Sequence, residues 1–573
     1  MQRSGCPANF SAGCLNYPKF VTRFPDMRLR FYSFILITSV FFVSCTGIPD
    51  QQAGQTVFRY NESSGITSLD PAFARDQANI WAVNHLYNSL VQLDSNLNVQ
   101  PCLAGSWTVS EDGRVYEFSI RSDVYFHDSE VFSGGSGRKL TARDAEYSLK
   151  RLLDPGLASP GSWVLAPVKI HDGTPAIRAV DDNTLVIELA RPFPPFPGML
   201  SMQYCSVIPH EVVDFYGQDF RANPVGTGPF RFGMWKEGVK LVLLKNNKYF
   251  ESLGNRRLPF LDAVAITFIV DKQTAFLEFV KGNLDFMSGL DAAYKDEMLT
   301  PSGKLNPKYR GKINLLSQPY LNTEYLGILM DRENPLLKDN PLADKRIRQA
   351  ISMGFDRKRL MRYLRNSTGT PGTHGFIPKG LPGYTDSGQF GYDYNPEKAK
   401  QLLAEAGYPG GKGLPPITLS TNASYLDICQ FIQNQLAMIG ISMKIDVSPP
   451  ATLKENIARS RVAFFRGSWI ADYPDAENYL SLFYSRNFTP AGPNYTRFGN
   501  AEFDRLYQLA SEENNDGKRT RYYRKMDSLV MEEAPVIVLF YDQVLRFVRS
   551  DISGLGSNPL NLLNLKTVKK DGD

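Results

Sequence analysis

The chain has 573 residues, 43% of them hydrophobic and 21% charged, with a formal net charge of +5. That length exceeds one ordinary core, so roughly two or three compact units are expected. The charge is weak for this size and no Arg/Lys stripe stands out, which argues against nucleic acid as a partner. Aromatics reach 12%, with 28 Tyr and 36 Phe. They suit a ring-rich core or a ligand cavity walled with rings.

In chain order, the N-terminus comes first. Met27-Arg-Leu-Arg30 precedes an uncharged apolar run from Phe31 to Val43, then Ser44-Cys45. A positive start, an apolar stretch too short to span a bilayer and a small residue before a cysteine read as an export signal. "FVSC" resembles the lipobox of bacterial lipoproteins, with Phe42 and Val43 departing from its usual Leu and small residue. The expectations are a non-native extension over 1–26, a signal peptide over 27–44, lipid on Cys45 and a polar tether over 45–55.

"TVFRYNE" predicts a first strand. A turn and a helix follow, with Ile80, Val83, Leu86, Tyr87 and Leu90 near the helical period. "WTVSEDGRVYEFSI" alternates around Glu-Asp-Gly, a hairpin signal. Thr141 with Asp144 three residues on resembles a capping box. "NTLVIELARPF" reads as a strand, and "NPVGTGPFRF" as an architectural Gly/Pro turn opening a hairpin. "AVAITFIV", "KQTAFLEFVKG" and "LDFMSG" read as β–α–β. "LADKRIRQAISMGFDRKRLMRYL" predicts a long amphipathic helix or a helix pair. Asn395 and Pro396 start a further helix and Gly407 follows its end. "ITLST", "DICQFIQNQLAMIGI" and "SMKIDVS" continue as strand, helix, strand, which argues an α/β fold. "VAFFRGSWIA" is an apolar strand that breaks at Asp472, and "PVIVLFYDQVLRFV" is a last strand or strand pair.

The search for catalytic chemistry comes up empty. His85, His127, His171, His210 and His374 show no metal-ligand spacing, and no GxSxG elbow occurs. The glycines at 134–141 and 226–228 do not fit a phosphate-binding loop. Beside Cys45, the exported chain would keep Cys102, Cys205 and Cys429, an odd number far apart with neither disulfide nor metal spacing. Neither a catalytic residue nor a metal or cofactor is expected.

Six segments then occur in order: "SLDPAFARDQAN", "LAGSWTVSEDGRVYEFSIRSDVYFHD", "LTARDAEYSLKRLLDP", "NPVGTGPFRF", "LADKRIRQAISMGFDRKRLMRYL" and "GSWIADYPDAENYL". Together they resemble the family 5 solute-binding proteins of ABC importers, the peptide/nickel group, over nearly all of the exported chain. The resemblance implies an α/β fold of the periplasmic-binding-protein type. It would be a two-lobed type II clamshell with an extra subdomain and mixed β-sheets flanked by helices. Lobe 1 would comprise 56–90, 207–318 and 538–573, a helper subdomain 91–206, and lobe 2 319–537. The implied protein is a lipid-anchored, extracytoplasmic monomer without enzymatic activity. It would hold a short peptide between its lobes and deliver it to a membrane permease with its ATPases.

The resemblance also implies site residues. In peptide-binding members an Asp after a Trp-containing strand pairs with the ligand's α-ammonium, and Asp472 holds that position. Gly467, Ser468 and Trp469 would hydrogen-bond the peptide backbone like an added β-strand. Arg466 would receive the ligand's carboxylate. Arg75, Asp76 and Gln77 would form the opposing strand edge. Taken without the resemblance, Asp472 before Tyr473-Pro474 also fits a turn starter, and Arg466 also fits a structural carboxylate's partner. Rival readings are an oligosaccharide, a nickel complex or haem on the same fold and, more remotely, a hydrolase. A buried carboxylate disfavours a neutral sugar, and the sparse histidines disfavour a hydrolase.

Overall fold

Ten segments, most of them rich in Val, Ile, Leu and Phe, supply the strands of one mixed sheet. The computed structural model describes residues 55–571 apart from 290, 292–293, 388–389 and 557. The expected signal peptide, Cys45 and the tether up to residue 54 lie outside the described residues. In chain order the strands are β1 (Val57–Asn61), β2 (Phe230–Lys236), β3 (Lys240–Lys245), β4 (Ala263–Thr267), β5 (Phe286–Ser288), β6 (Ile313–Ile328), β7 (Ile417–Thr421), β8 (Met443–Val447), β9 (Phe464–Ile470) and β10 (Val536–Arg549). Their spatial order is β2–β3–β4–β1–β5–β10–β6–β9–β7–β8, and Thr370–Pro371 pairs with β10 off that path. β4 and β5 flank β1 and both run parallel to it. The helix Lys272–Lys281 connects them, so the expected β–α–β unit is closed around a strand from the chain's start. β7 runs parallel to both β8 and β9. The fold is the mixed α/β arrangement that the alternation predicts.

β6 and β10 join the two halves of this sheet. They pair antiparallel from Ile313↔Arg549 to Gly327↔Val536, with register shifts after Pro319 and Glu324. β10 is a single strand. β6, at 16 residues, is absent from the sequence reading, because Pro319 and the polar run Asn322-Thr323-Glu324 break its apolar pattern. From Leu321 to Ile328 every residue of β6 is buried, whereas its first half alternates with exposed positions.

Side-chain alternation divides the buried half between two apolar clusters. Tyr325 packs with Phe376, Tyr479 and Val538 on one face. Leu326 packs with Ile351, Ile432 and Ile537 on the other. A further cluster gathers Phe58, Trp81, Phe118, Phe230 and Ile266. It includes α1 (Gln77–Leu86), α2 (Ala142–Leu152) and a separate four-stranded antiparallel sheet of Ala104–Val109, Val115–Ile120, Thr184–Glu188 and Ile177–Ala179.

Local signals decide several element ends. Thr141 and Asp144 form the capping box of α2. The long amphipathic segment is a pair, Lys345–Met353 and Arg357–Leu364, because Asp356 caps a new helix after Gly354. Asn395 caps Pro396–Glu405. At Gly226 and Gly228 an added Cβ would lie 2.2 and 2.4 Å from Leu86 backbone atoms, so the Gly-Thr-Gly turn lets the chain pass close to the end of α1.

Candidate functional site

The backbone of β9 has one partnered and one open edge. Along β9, Phe464 to Ile470 pair with Ile328 to Asn322 of β6. On the other side β7 meets it only at Phe465. Among the described residues, Gly467 to Ile470 therefore have a strand neighbour on one side only. Such an edge is what an extended ligand backbone can join. Gly467 is needed here, since a Cβ would come 2.7 Å from the Tyr325 ring.

Beyond Ile470 the chain turns at Asp472 and crosses to the cluster of Phe58, Trp81 and Phe118. Tyr473 is buried in that cluster, with its ring 6.2 Å from that of Trp163. Two buried acids hold the turn from behind. Asp475 accepts the Tyr523 hydroxyl at 2.7 Å and the Glu477 N–H at 2.9 Å. Glu477 begins the short helix α3 (Glu477–Leu480) and accepts the hydroxyls of Tyr473 and Tyr507. Tyr507 lies on α4 (Ala501–Glu512) and Tyr523 on α5 (Asp516–Glu533). Burial pushes the Glu477 carboxyl up to about 7.

Asp472 opens onto a cavity of about 400 Å³, which it shares with Arg75, Asp76, Gln77, Tyr204 and Tyr320. The side chain is exposed to the cavity, and the surrounding protein desolvates its carboxylate. That desolvation raises its pKa, and the Asn478 hydrogen bond opposes the rise. Asn478 Nδ2 donates to Asp472 Oδ2 at 3.1 Å, and no cation pairs with Asp472 among the described residues. Burial likewise pushes the Tyr204 hydroxyl up to about 12, with Asp472 adding to the rise and Arg75 opposing it.

Four of the expected residues thus line one cavity: Asp472, Arg75, Asp76 and Gln77. The last three do not form a strand edge. Asp76 is the N-cap of α1, accepting Asn79 N–H at 3.1 Å, and Gln77 is the first helical residue. The Asp76 carboxylate takes an N–H that the first helical turn leaves without a partner, so the chain enters a helix at Gln77. Gln77 Oε1 accepts Asn561 Nδ2 at 3.0 Å. Gly467, Ser468 and Trp469 are half-buried on β9 and do not line this cavity.

Arg466 does not join them either. It is 9% exposed, ion-paired with Glu324 and stacked 3.2 Å from the Tyr425 ring centre. Its strand position sets it diagonally opposite Glu324 on β6, which engages the guanidinium before any ligand could. The sequence reading also missed Asn478, Tyr204 and Tyr320. The only signal for Asn478 was its spacing, six residues after Asp472 in a turn-rich segment.

Two other places were candidates for chemistry. A wider groove of about 1350 Å³ touches the cavity through Arg75. Its charges largely satisfy one another: Arg151 forks onto Asp70 at 2.7 and 3.0 Å, and Lys150 meets Glu146 at 2.6 Å. Asp144, His210 and Glu211 bring three donor atoms within 4.8 Å of one another. The Arg138 guanidinium is already bonded to Asp144 at 2.6 Å and to Glu211 at 2.8 Å, so the local charge is balanced without a metal. Cys102, Cys205 and Cys429 are free and buried.

Residues 98–490 match the family described as bacterial extracellular solute-binding proteins, family 5 Middle. The chain is 28% identical over 503 residues to heme-binding protein A of Haemophilus influenzae, covering 85% of this chain and 87% of that one. It is 26% identical over 498 residues to the dipeptide-binding protein of Escherichia coli, covering 84% and 88%. Its fold superposes on the structure of HbpA2 from Haemophilus parasuis with a TM-score of 0.77 at 24% identity, over 90% of this chain and all of that one.

Proposed function

The chain belongs to the bacterial extracellular solute-binding proteins of family 5, and from that premise we propose that it captures short peptides by their free amino end. As a member it is an extracytoplasmic solute-binding component of an ABC transporter and not an enzyme. The observation that carries the peptide reading is Asp472: a carboxylate on a cavity wall, oriented by Asn478 and without a cation among the described residues. A ligand ammonium supplies the missing charge, and the enclosed site strengthens the bond. The open edge of β9 offers backbone bonds that ignore side-chain identity. The likeness to the dipeptide-binding protein of Escherichia coli points the same way.

Closure on the ligand belongs to the same reading. We take 56–90, 207–318 and 538–573 as one lobe, 319–537 as the other, and 91–206 as the helper subdomain. β6 and β10 would be the hinge between the lobes. The Asp472–Tyr473 turn reaches Trp163 of the helper subdomain, so ligand charge and contact with that subdomain share one loop. The closed form would be handed to the permease, with Cys45 lipid keeping the protein at the membrane.

Haem in the same cavity is the second reading. It has the likeness to heme-binding protein A of Haemophilus influenzae behind it, and Tyr204, Tyr320 and Met202 in the lining would be the side chains to hold its iron. Native mass spectrometry of the purified protein decides. Co-purifying short peptides, with N-acetylated peptides binding at least about tenfold more weakly, support the first reading. A stoichiometric porphyrin mass, or equal binding of acetylated peptides, overturns it.

A further inference from the structure

We propose that Leu97 and Tyr473 are reciprocal apolar plugs that hold the two halves of the molecule closed around the cavity, setting affinity without touching the ligand. The proposal rests on the lobe division and hinge stated above and adds what fastens them.

Two apolar clusters border the cavity, one through Trp81 and Tyr204 and the other through Ala471. Among the described residues each is built from its own part of the chain, with a single exchange. In the cluster of Phe58, Trp81 and Phe118, Tyr473 is the only buried member from between Phe286 and Val548. In the cluster of Tyr325, Phe376 and Tyr479, Leu97 is the only buried member from before Leu321.

Local structure does not ask for Leu97. It stands at the tip of a hairpin whose strands, Val91–Leu93 and Val99–Pro101, pair antiparallel. Ser95, Asn96 and Asn98 of that tip are exposed, whereas Leu97 is buried. The turn is held by Asp94, whose Oδ1 accepts the N–H groups of Asn96 and Asn98 at 2.8 and 2.9 Å. Leu97 has a φ of +66°, in the left-handed region where Gly, Asn and Asp are the usual occupants. A strained apolar residue at an otherwise solvent-facing tip has its reason in the cluster it enters.

Tyr473 is the mirror case. Its hydroxyl bonds to Glu477 of its own half, while its ring packs across, 6.2 Å from that of Trp163. Pro474 follows it, since a Cβ at Gly198 would lie 3.5 Å from Pro474 Cδ. Each plug also has a neighbour on the cavity. Tyr473 follows Asp472 and meets Trp163, and both of these line it. Leu97 shares its hairpin with Leu93, which lines the cavity and packs against the cluster that Leu97 enters. Opening at β6 and β10 would withdraw both plugs into water, so their burial favours the closed form. A ligand that needs the closed form then gains affinity in proportion to its population.

The test is small-angle X-ray scattering of the exported full-length chain, without added solute and shown by its native mass to carry none. Leu97→Asn suits the left-handed turn but removes the apolar plug, and Tyr473→Ala removes the ring. Each should shift the closed-to-open ratio by on the order of ten- to a hundredfold and raise the radius of gyration above wild type. Tyr473→Phe and Leu97→Met, which keep apolar bulk, should keep the wild-type radius. Circular dichroism checks that each variant is folded, and Leu97→Asn, at an exposed tip, decides alone should Tyr473→Ala fail to fold. Wild-type radii in the folded plug variants, with only their melting temperatures lowered, overturn the proposal, as does an equal rise in Tyr473→Phe. No ligand enters the measurement, so its failure leaves the peptide reading standing, and a failed peptide titration leaves the plugs standing.

Discussion

Asn478 donates its side-chain amide to the Asp472 carboxylate at 3.1 Å while its amide oxygen accepts the Asp472 backbone N–H at 3.1 Å. The same oxygen accepts Trp469 Nε1 at 2.9 Å. One buried amide therefore sets the strand's last ring and the carboxylate beyond it. Asn478→Asp keeps the acceptor but turns the donor into a second carboxylate facing Asp472. We expect peptide affinity to fall by roughly ten- to a hundredfold, with partial recovery at low pH as one of the two acids is neutralised. Calorimetric titration between pH 5 and 8 checks this, and a pH-independent loss would contradict it.

Asp472 itself sets binding against stability. In the free protein its carboxyl is desolvated and its pKa raised. Asp472→Asn should remove that penalty and leave the free protein equally or more stable above the acid's ordinary pKa. Binding should move the other way, weakening by about 3 kcal/mol as a ligand ammonium loses its partner. The measurements are urea unfolding and peptide titration on the same variant. Parallel losses in both would make Asp472 a structural residue.

The fold was legible where pattern and packing agree. β1, the Asn395 cap and the Thr141–Asp144 capping box follow from local chemistry that tertiary contacts left in place. β6 was illegible because its buried polar groups answer to distant partners: Glu324 to Arg466, and Thr323 Oγ1 to Phe376 O at 3.0 Å. For the same reason the site was only partly readable. Asp472 stands out at the end of an apolar strand. Nothing local to Arg466 announces Glu324, 142 residues away in sequence. Arg75, Asp76 and Gln77 were found through resemblance, yet their geometry is that of a helix start, set by Asp76 and Asn79.

The contribution of two buried acids to stability should decline as pH rises toward neutrality. Burial raises Glu477 and Asp527 to about 7 each, from ordinary values near 4.5 and 3.8. Asp527 is fully enclosed and accepts the Phe376 N–H at 2.7 Å. Between the ordinary and the raised values the folded chain binds protons that the unfolded chain does not. The favourable contribution is therefore complete below about pH 4 and lost as pH passes about 7. Other carboxylates act in the opposite sense, so the variant comparison isolates the effect. Asp527→Asn should flatten the slope of unfolding free energy between pH 5 and 8. An unchanged slope would mean that Asp527 is ionised in the fold.

Arg466 and Glu324 form a buried pair, 9% and 5% exposed at the side chain. Tyr425 covers the guanidinium, and Asn322 Nδ2 donates to Glu324 Oε1 at 3.1 Å. Removing one partner leaves the other charge without compensation in a low dielectric. Glu324→Gln and Arg466→Met should each lower stability by about 3 kcal/mol. The double variant should be less destabilised than the sum of the two, because it leaves no lone charge. Peptide affinity should persist in both single variants that remain folded, since Arg466 is committed to Glu324 and does not line the cavity. Loss of peptide binding in Arg466→Met, with the melting curve unchanged, would give Arg466 a ligand role.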